Sequence, residues 1–193
     1  MMEKEMADIY IVPVAESNIV WCRNLTNRLL QGEINKCIYW TNHWESRMYN
    51  TGEYIVFAYE KENRAIAGSG KIVDSGKMLV DKMFNSWKKE CGCKDTDTID
   101  DFVDMMIKAF LPPEEYEKYV QNGLLELKKE IMLGKEIGFI EVDELEFYNE
   151  RDWKLLKPKS LIKKVSPRGC HITCTQEAYD KKEFEGYRVI SKL

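Results

Sequence analysis

Residues 52–73, GEYIVFAYEKENRAIAGSGKIV, constrain the fold of this chain more than any other stretch. The run 54–59 is too apolar for a strand with one wet face, and it is too short and too rich in aromatic and β-branched residues for a helix. A charged loop over 60–64 separates it from a second apolar run that begins at Ala65. Two such runs joined by about five polar residues predict a β-hairpin whose first strand lies in the core.

Two glycines, Gly68 and Gly70, interrupt the second strand of this hairpin. Glycine in a strand costs packing and backbone entropy, so it usually marks a bulge, a bend or a close approach by another group. Lys71 follows these glycines directly and is therefore a candidate ligand contact.

With 193 residues, 44% of them hydrophobic, the chain is long enough for one soluble domain that needs no disulfide support. Acids stand among the first residues, and no apolar run approaches the about 18 residues of a membrane span, so we expect neither a signal peptide nor membrane insertion. The six cysteines are few for a disulfide scaffold, and reduced thiols are expected. We therefore expect a cytoplasmic protein.

Charge is divided unevenly along the chain. The net charge of −4 argues against strong, indiscriminate binding to nucleic acid. Residues 151–171 nevertheless carry seven Lys or Arg against one acid, whereas residues 90–150 carry seventeen acids against six bases. This division permits a local anion-binding site, but the two segments can also pair with each other across the fold.

The order of predicted elements indicates an α+β protein. Strands are expected over 9–14, 34–40, 54–59, 65–73, 137–142, 145–148, 170–174 and 186–190, with Pro13 at an edge or an end of the first. Helices are expected over 17–31, 78–87, from Asp97 or Thr98 to 110, from 113, and over 124–133. This order predicts a small barrel-like sheet with helices packed outside it or at one mouth, and a helical insertion at about 76–135.

Four short patterns resemble the PUA-like superfamily, in particular its ASCH and EVE branches and their archaeal relatives. They are residues 52–57 (GEYIVF), 66–72 (IAGSGKI), 137–142 (IGFIEV) and 166–172 (SPRGCHI). The resemblance implies that residues 1–193 form a single PUA-like β pseudobarrel with flanking helices and an inserted helical lobe. It also implies an RNA or modified-base ligand in a cleft between barrel and helices, with Gly68 and Gly70 where the strand bends and lets the ligand or the loop 40–47 approach.

Residues 39–47 form the densest group of recognition-type side chains. Aromatic faces stack unpaired bases, Asn and His hydrogen-bond base edges, and Arg holds phosphate. The predicted base contacts are Trp40, Asn42, His43, Trp44 and Arg47. The alternative is that one tryptophan fills the core and the other is half exposed by chance.

The basic segment supplies the predicted backbone contacts of the same ligand. Lysines and arginines neutralise phosphates, and their number sets the salt dependence of binding. The segment offers Lys157, Lys159, Lys163, Lys164 and Arg168. The predicted backbone contacts are Lys163, Lys164 and Arg168 from this segment, together with Lys71 from the hairpin. A solvated basic strand edge that blocks aggregation is the alternative for this segment.

Some ASCH relatives resemble amidohydrolases that act on acylated cytidine through a Lys and a Thr close behind a helix-ending glycine, and a Glu farther on. Here Gly32 is that glycine, and neither Lys nor Thr stands directly after it. The fold would have to bring Lys36, Thr41 and Glu45 together for such chemistry.

The spacing of cysteines, histidines and glycines in the sequence argues against metal binding and nucleotide hydrolysis. Cys91, Cys93, Cys170, His171 and Cys174 include zinc-ligand types, but their spacings are not those of zinc knuckles. The segment 68–71 leads into a strand, whereas a P-loop lysine opens a helix. We predict no metal, no cofactor and no catalytic residue.

The sequence therefore leaves three functions open. The first is a non-enzymatic module that binds RNA or a modified nucleoside within it. The alternatives are a small amidohydrolase acting on an acylated nucleoside, and a protein-interaction adaptor that works through the acidic helical lobe.

Overall fold

The computed structural model describes residues 5–14, 18–42, 49–59, 65–152, 154–155, 170–184 and 188–192. The strands within these residues are β1 (Met6–Val14), β2 (Cys37–Thr41), β3 (Tyr54–Tyr59), β4 (Ala65–Leu79), β5 (Glu136–Phe147), β6 (Lys154–Leu155), β7 (Cys170–Thr175) and β8 (Arg188–Lys192). The helices are α1 (Ile19–Leu30), α2 (Val80–Trp87), α3 (Ile99–Phe110), α4 (Pro113–Gln121), α5 (Leu125–Leu133) and α6 (Gln176–Asp180).

The strands form one mixed sheet. Their order is β2-β5-β4-β3-β1-β7-β8, and the short β6 pairs with β4 outside this path. β1 and β3 run parallel, while β3 and β4 form the predicted antiparallel hairpin. Among the described residues no pairing joins the outer strands β2 and β8, so the sheet is open. The predicted α+β class is confirmed, whereas the predicted pseudobarrel is not.

Both faces of the central strand β3 are buried, as its apolar sequence predicts. Ile55 and Phe57 belong to a core that also contains side chains of α1, α2, α3 and α5, and we call this side of the sheet the lobe face. Val56 and Ala58 pack on the opposite side with Tyr179 of α6, and we call that side the α6 face. Alternate side chains of a strand point to opposite faces, so a fully apolar run serves two cores at once.

The neighbouring strand β1 is also central. It pairs with β3 on one side and with β7 on the other. The pairing of β1 with β7 stops at Ile11, so Pro13 lies beyond it, near the end of β1. Proline has no N–H to donate, and at this position no hydrogen bond to β7 is lost. This agrees with the prediction that Pro13 stands at an edge or an end.

The helical lobe begins later than predicted. β4 continues to Leu79 because β5 pairs with it over its whole second half, with Met78 opposite Ile137. The helices therefore start at Val80 rather than at about residue 76. The predicted strands over 137–142 and 145–148 are one strand, in which Glu144 has a positive φ of 48°.

The lobe packs as its apolar pattern predicts. In α3 the side chains of Phe102, Val103, Met106 and Ile107 are buried. On the outer surface of the lobe, four large apolar side chains are at least 45% exposed: Val120, Leu124, Leu127 and Ile131. None of the helices in the described part of the chain is long and apolar enough to cross a membrane.

The glycines of β4 are required by β5. A Cβ on Gly68 would stand 2.7 Å from the Phe147 ring, and a Cβ on Gly70 would stand 2.6 Å from the carbonyl oxygen of Asp143 and also meet Val142. The predicted close approach is therefore real, but the approaching group is a neighbouring strand. This corrects the expectation that a ligand is the reason for these glycines, whereas residues 43–47 of the loop that was also expected here lie outside the described residues.

Candidate functional site

The structure describes three of the nine predicted site residues. The other six lie outside the described residues, in the segments 43–48 and 156–169: His43, Trp44, Arg47, Lys163, Lys164 and Arg168. Their predicted contacts with a base or a phosphate stay predictions.

Trp40 is a core residue of β2. It is 4% exposed, and its ring meets the rings of Phe102 and Phe110 edge-to-face at centroid distances of 6.3 and 5.5 Å. These contacts join β2 to α3. A ring covered in this way offers no free face to a base, so the structure places Trp40 in the core, the alternative weighed from the sequence.

Asn42 lies directly after β2 on the surface. Its side-chain oxygen accepts a hydrogen bond of 3.1 Å from the Lys135 ammonium group. The two predicted base contacts therefore lie in different environments, because the Trp40 side chain is buried under the lobe and the Asn42 side chain is exposed.

Lys71 lies on β4 directly opposite Tyr54 of β3. Residues opposite each other in a ladder share a face, so Lys71 and Tyr54 both lie on the α6 face. The Lys71 side chain is 37% exposed, and its ammonium group is 3.7 Å from a carboxylate oxygen of Glu144. Such a loose, exposed ion pair holds a lysine only weakly.

Tyr54 belongs to an aromatic and basic group on the α6 face. Its ring stacks on Tyr179 with centroids 4.0 Å apart, and the ammonium group of Lys182 lies 3.9 Å from the centroid of the Tyr179 ring. Lys182 is also 3.3 Å from a carboxylate oxygen of Glu146. Burial raises the pKa of the Tyr179 hydroxyl, which keeps it neutral at ordinary pH. We call Tyr54, Lys71, Tyr179 and Lys182 the tyrosine–lysine cluster.

Of the three residues that amidohydrolase chemistry would need, the two that the structure describes, Lys36 and Thr41, are not brought together. The Lys36 ammonium group forms an ion pair of 2.8 Å with Glu141 of β5. Thr41 ends the five-residue strand β2, whereas Lys36 precedes its first residue. At about 3.3 Å per residue, their Cα atoms stand roughly 16 Å apart along the strand. Glu45 lies outside the described residues.

The cysteine groups lie on opposite faces of the sheet. Cys91 and Cys93 belong to the core of the lobe face, and Cys170 and Cys174 belong to the core of the α6 face. Burial raises the pKa of Cys93 to about 12 and that of Cys174 to about 11. Such thiols are inert at neutral pH.

His171 has different neighbours from the cysteines around it. It stacks on Tyr10, with ring centroids 4.0 Å apart and an angle of 12° between the planes. Asp8 and Glu53 lie beside it, and one ligand atom from each of the three residues lies within 4.8 Å of the others. We call Asp8, Glu53 and His171 the acidic–histidine cluster.

Sequence reasoning singled out His171 but missed its partners. Asp8 and Glu53 are separated by forty-four other residues, and each looks like an ordinary polar residue at the start of a strand. A usable signal was the position of both acids immediately before apolar strand residues. Their proximity depends on the parallel pairing of β1 with β3, which the sequence pattern does not specify.

Comparison with models of known protein families and with curated protein sequences gives no match. Among solved structures, one mutant form of ZmASCH from Zymomonas mobilis matches at 10% identity over 90% of this chain and 95% of that chain, with a TM-score of 0.38. A second mutant form matches at 11% identity over 95% and 89% of the two chains, with a TM-score of 0.36. Likeness this distant carries no weight in assigning a site.

Proposed function

We propose that this protein binds RNA, or a modified nucleoside within it, at the tyrosine–lysine cluster and without catalysing a reaction. The observation that carries this proposal is the pairing of Tyr54 with Lys71 across β3 and β4. Both side chains are partly exposed on one face. An aromatic ring that stacks a base beside an ammonium group that holds a phosphate is the usual composition of single-strand binding surfaces.

The remaining members of the cluster hold Tyr54 in position. Tyr179 is 7% exposed and Lys182 is 6% exposed, so both are interior residues. Their stacking and cation–π contacts fix one side of Tyr54 before any ligand arrives. A preorganised ring loses little entropy when a base stacks on it.

Lys71 is available to a phosphate because its ion pair is weak. The Glu144 side chain is 62% exposed, and the 3.7 Å separation from Lys71 lies outside hydrogen-bond range. The predicted contacts in segments 43–48 and 156–169 would extend this surface and are kept in the proposal. Trp40 is not part of it.

The test is a titration of labelled single-stranded RNA pools at low and moderate salt, read by fluorescence anisotropy. We expect Tyr54→Leu to weaken binding about tenfold, since one base stack is worth about 1–3 kcal/mol. Tyr54→Phe should retain binding. Lys71→Ala should weaken binding and reduce the slope of log affinity against log salt by about 0.7, the value of one phosphate contact on a single strand.

A matched control is Lys82→Ala, which removes one exposed lysine from α2. It should leave RNA affinity unchanged. Absence of binding at low salt, or equal losses in Lys71→Ala and Lys82→Ala, would contradict the proposal.

The non-enzymatic part of the proposal is supported by the separation of Lys36 from Thr41 and by the ion pair of Lys36 with Glu141. Acylated cytidines incubated with a high concentration of the protein should be recovered unchanged by chromatography. Release of free cytidine would establish the amidohydrolase alternative.

The adaptor alternative stays a prediction from charge. The exposed apolar side chains of the lobe suit a partner surface, but nothing in the described residues identifies what covers them.

A further inference from the structure

Three strands bring the acidic–histidine cluster together at one end of the lobe face. Tyr10 of β1 lies opposite His171 of β7, and Ile9 lies beside Tyr54 of β3. Continuing the parallel register of β1 with β3 back by one residue from Ile9 and Tyr54 brings Asp8 beside Glu53. All three side chains of the cluster therefore stand on the same side of the sheet as Tyr10.

Two polar atoms in this cluster are buried without a hydrogen-bond partner among the described residues. They are Nε2 of His171 and Oε2 of Glu53. The two atoms face each other at 3.6 Å, which is too long for a hydrogen bond. His171 is only 9% exposed. An unsatisfied buried polar atom is costly, at about 1–3 kcal/mol, so a group bound between two of them would remove this cost.

We propose that Asp8, Glu53 and His171 bind one divalent transition-metal ion, with Zn²⁺ as the preferred ion among those tested. Zinc bonds of about 2.0–2.2 Å at a tetrahedral angle place two ligand atoms roughly 3.4 Å apart. The 3.6 Å between Nε2 and Oε2 is close to this spacing, and the Asp8 ligand atom lies within 4.8 Å of both groups. Three protein ligands leave a fourth position open, as in zinc sites that hold water or substrate.

The charge and protonation of the cluster suit a dication. Two carboxylates balance a charge of +2, and mixed imidazole and carboxylate ligands are usual for zinc, manganese and iron. Metal binding requires the imidazole in its neutral form.

Neighbouring side chains hold the ligands in place. The Asn50 amide donates hydrogen bonds to Oε1 of Glu53 at 3.1 Å and to the Tyr10 hydroxyl at 3.2 Å. Tyr10 in turn stacks on the His171 ring. Such supporting contacts around the ligands are a regular feature of metal sites, because they orient the ligand atoms.

This site is separate from the tyrosine–lysine cluster of the proposed RNA surface. The tyrosine–lysine cluster lies on the α6 face, whereas the acidic–histidine cluster lies on the side of the sheet to which Tyr10 points. RNA binding measured with EDTA present therefore tests the proposed function alone, and metal binding measured without RNA tests this inference alone.

The experiment uses the full chain, stripped with EDTA and titrated with Zn²⁺, Mn²⁺ or Co²⁺ in a calorimeter. We expect one Zn²⁺ per chain, a rise in Tm on addition of Zn²⁺, and visible Co²⁺ absorption typical of low coordination number. Asp8→Asn and Glu53→Gln should each weaken Zn²⁺ binding at least tenfold, and His171→Gln at least a hundredfold.

One control variant sharpens the result. Glu114→Gln removes an exposed acid from α4. It should bind Zn²⁺ like the unsubstituted protein. If His171→Gln fails to fold, the two isosteric carboxylate variants decide the matter. No stoichiometric binding below about 100 µM, or binding unchanged in all cluster variants, would overturn the inference.

Discussion

Thr98 and Asp101 begin helix α3 with a reciprocal pair of hydrogen bonds. The Asp101 N–H donates to the Thr98 hydroxyl at 3.3 Å, and the Thr98 N–H donates to the Asp101 carboxylate at 2.8 Å. This is a capping box, which satisfies two N–H groups that the helix itself leaves free. Hydrogen bonds from the Thr98 backbone and then its side chain lower the pKa of Asp101 below its ordinary value.

The lowered pKa of Asp101 predicts a pH-dependent contribution to stability. The charged carboxylate is favoured in the folded state, so its contribution is present above the unfolded pKa of about 3.9 and is lost as the pH falls through the folded pKa. Asp101→Asn should therefore reduce the free energy of unfolding at pH 7, and the difference from the unsubstituted protein should shrink at pH 3.

Urea denaturation followed by circular dichroism at the two pH values measures the free energy of unfolding of both proteins. Glu117→Gln, which removes an exposed acid from α4 outside any cap, controls for net charge. If Asp101→Asn reduces the free energy of unfolding by the same amount at pH 7 and pH 3, the charged Asp101 carboxylate is not the source of the stabilisation.

At the scale of elements, the long strand β4 organises the sheet. Its fifteen residues pair with β3, β5 and β6 in succession, with register shifts after Ser69 and Ile72 in the β5 ladder. Gly68 and Gly70 stand where β5 comes closest to it. The close packing of β4 against β5 therefore requires that these two positions carry no side chain.

This packing predicts that Gly70→Ala destabilises the protein by about 1–3 kcal/mol, the usual cost of overpacking. The new Cβ would meet Val142 and the Asp143 carbonyl oxygen, and a backbone oxygen moves only if β5 shifts. The free energy of unfolding from urea titration measures the effect.

Gly134→Ala is the matched control. Its nearest neighbours lie 3.9 and 4.0 Å from the added Cβ, and its φ of −80° is ordinary for alanine. It should change stability by no more than about 0.5 kcal/mol. Equal effects at the two positions would show that strand packing is not the reason for Gly70.

The whole molecule contains two cores separated by one sheet. The larger core lies on the lobe face and contains Cys22, Cys37, Cys91 and Cys93, and the smaller core on the α6 face contains Cys170 and Cys174. All six thiols are free, and none is more than 6% exposed. The thiols thus report on the integrity of both cores.

The native protein should react slowly with a thiol reagent such as DTNB at pH 8. Burial restricts access, and the raised pKa values of Cys93 and Cys174 leave little thiolate. Fewer than one thiol per chain should react within the first minute, whereas unfolding in guanidinium should expose all six. Two or more fast thiols in the native protein would show that one core is open.

The sequence by itself determined the elements whose signals are local. The run 54–59 is the buried strand β3 because its apolar residues leave no wet face. The sequence places the start of α3 at Asp97 or Thr98 because capping depends on residues three apart, and the structure selects Thr98. Gly32 ends α1 with a φ of 71° because it tolerates the left-handed region. Each of these features is specified within a few residues of chain.

Only the tertiary structure decided which distant residues meet. Trp40 is a core residue because α3 packs over β2, and Gly70 is required because β5 lies against β4. The acidic–histidine cluster exists because β1 pairs with both β3 and β7, which bring Glu53 and His171 to Asp8. Strand pairing joins segments far apart in sequence, and hydrophobic periodicity shows that a strand is buried without showing which strand lies beside it.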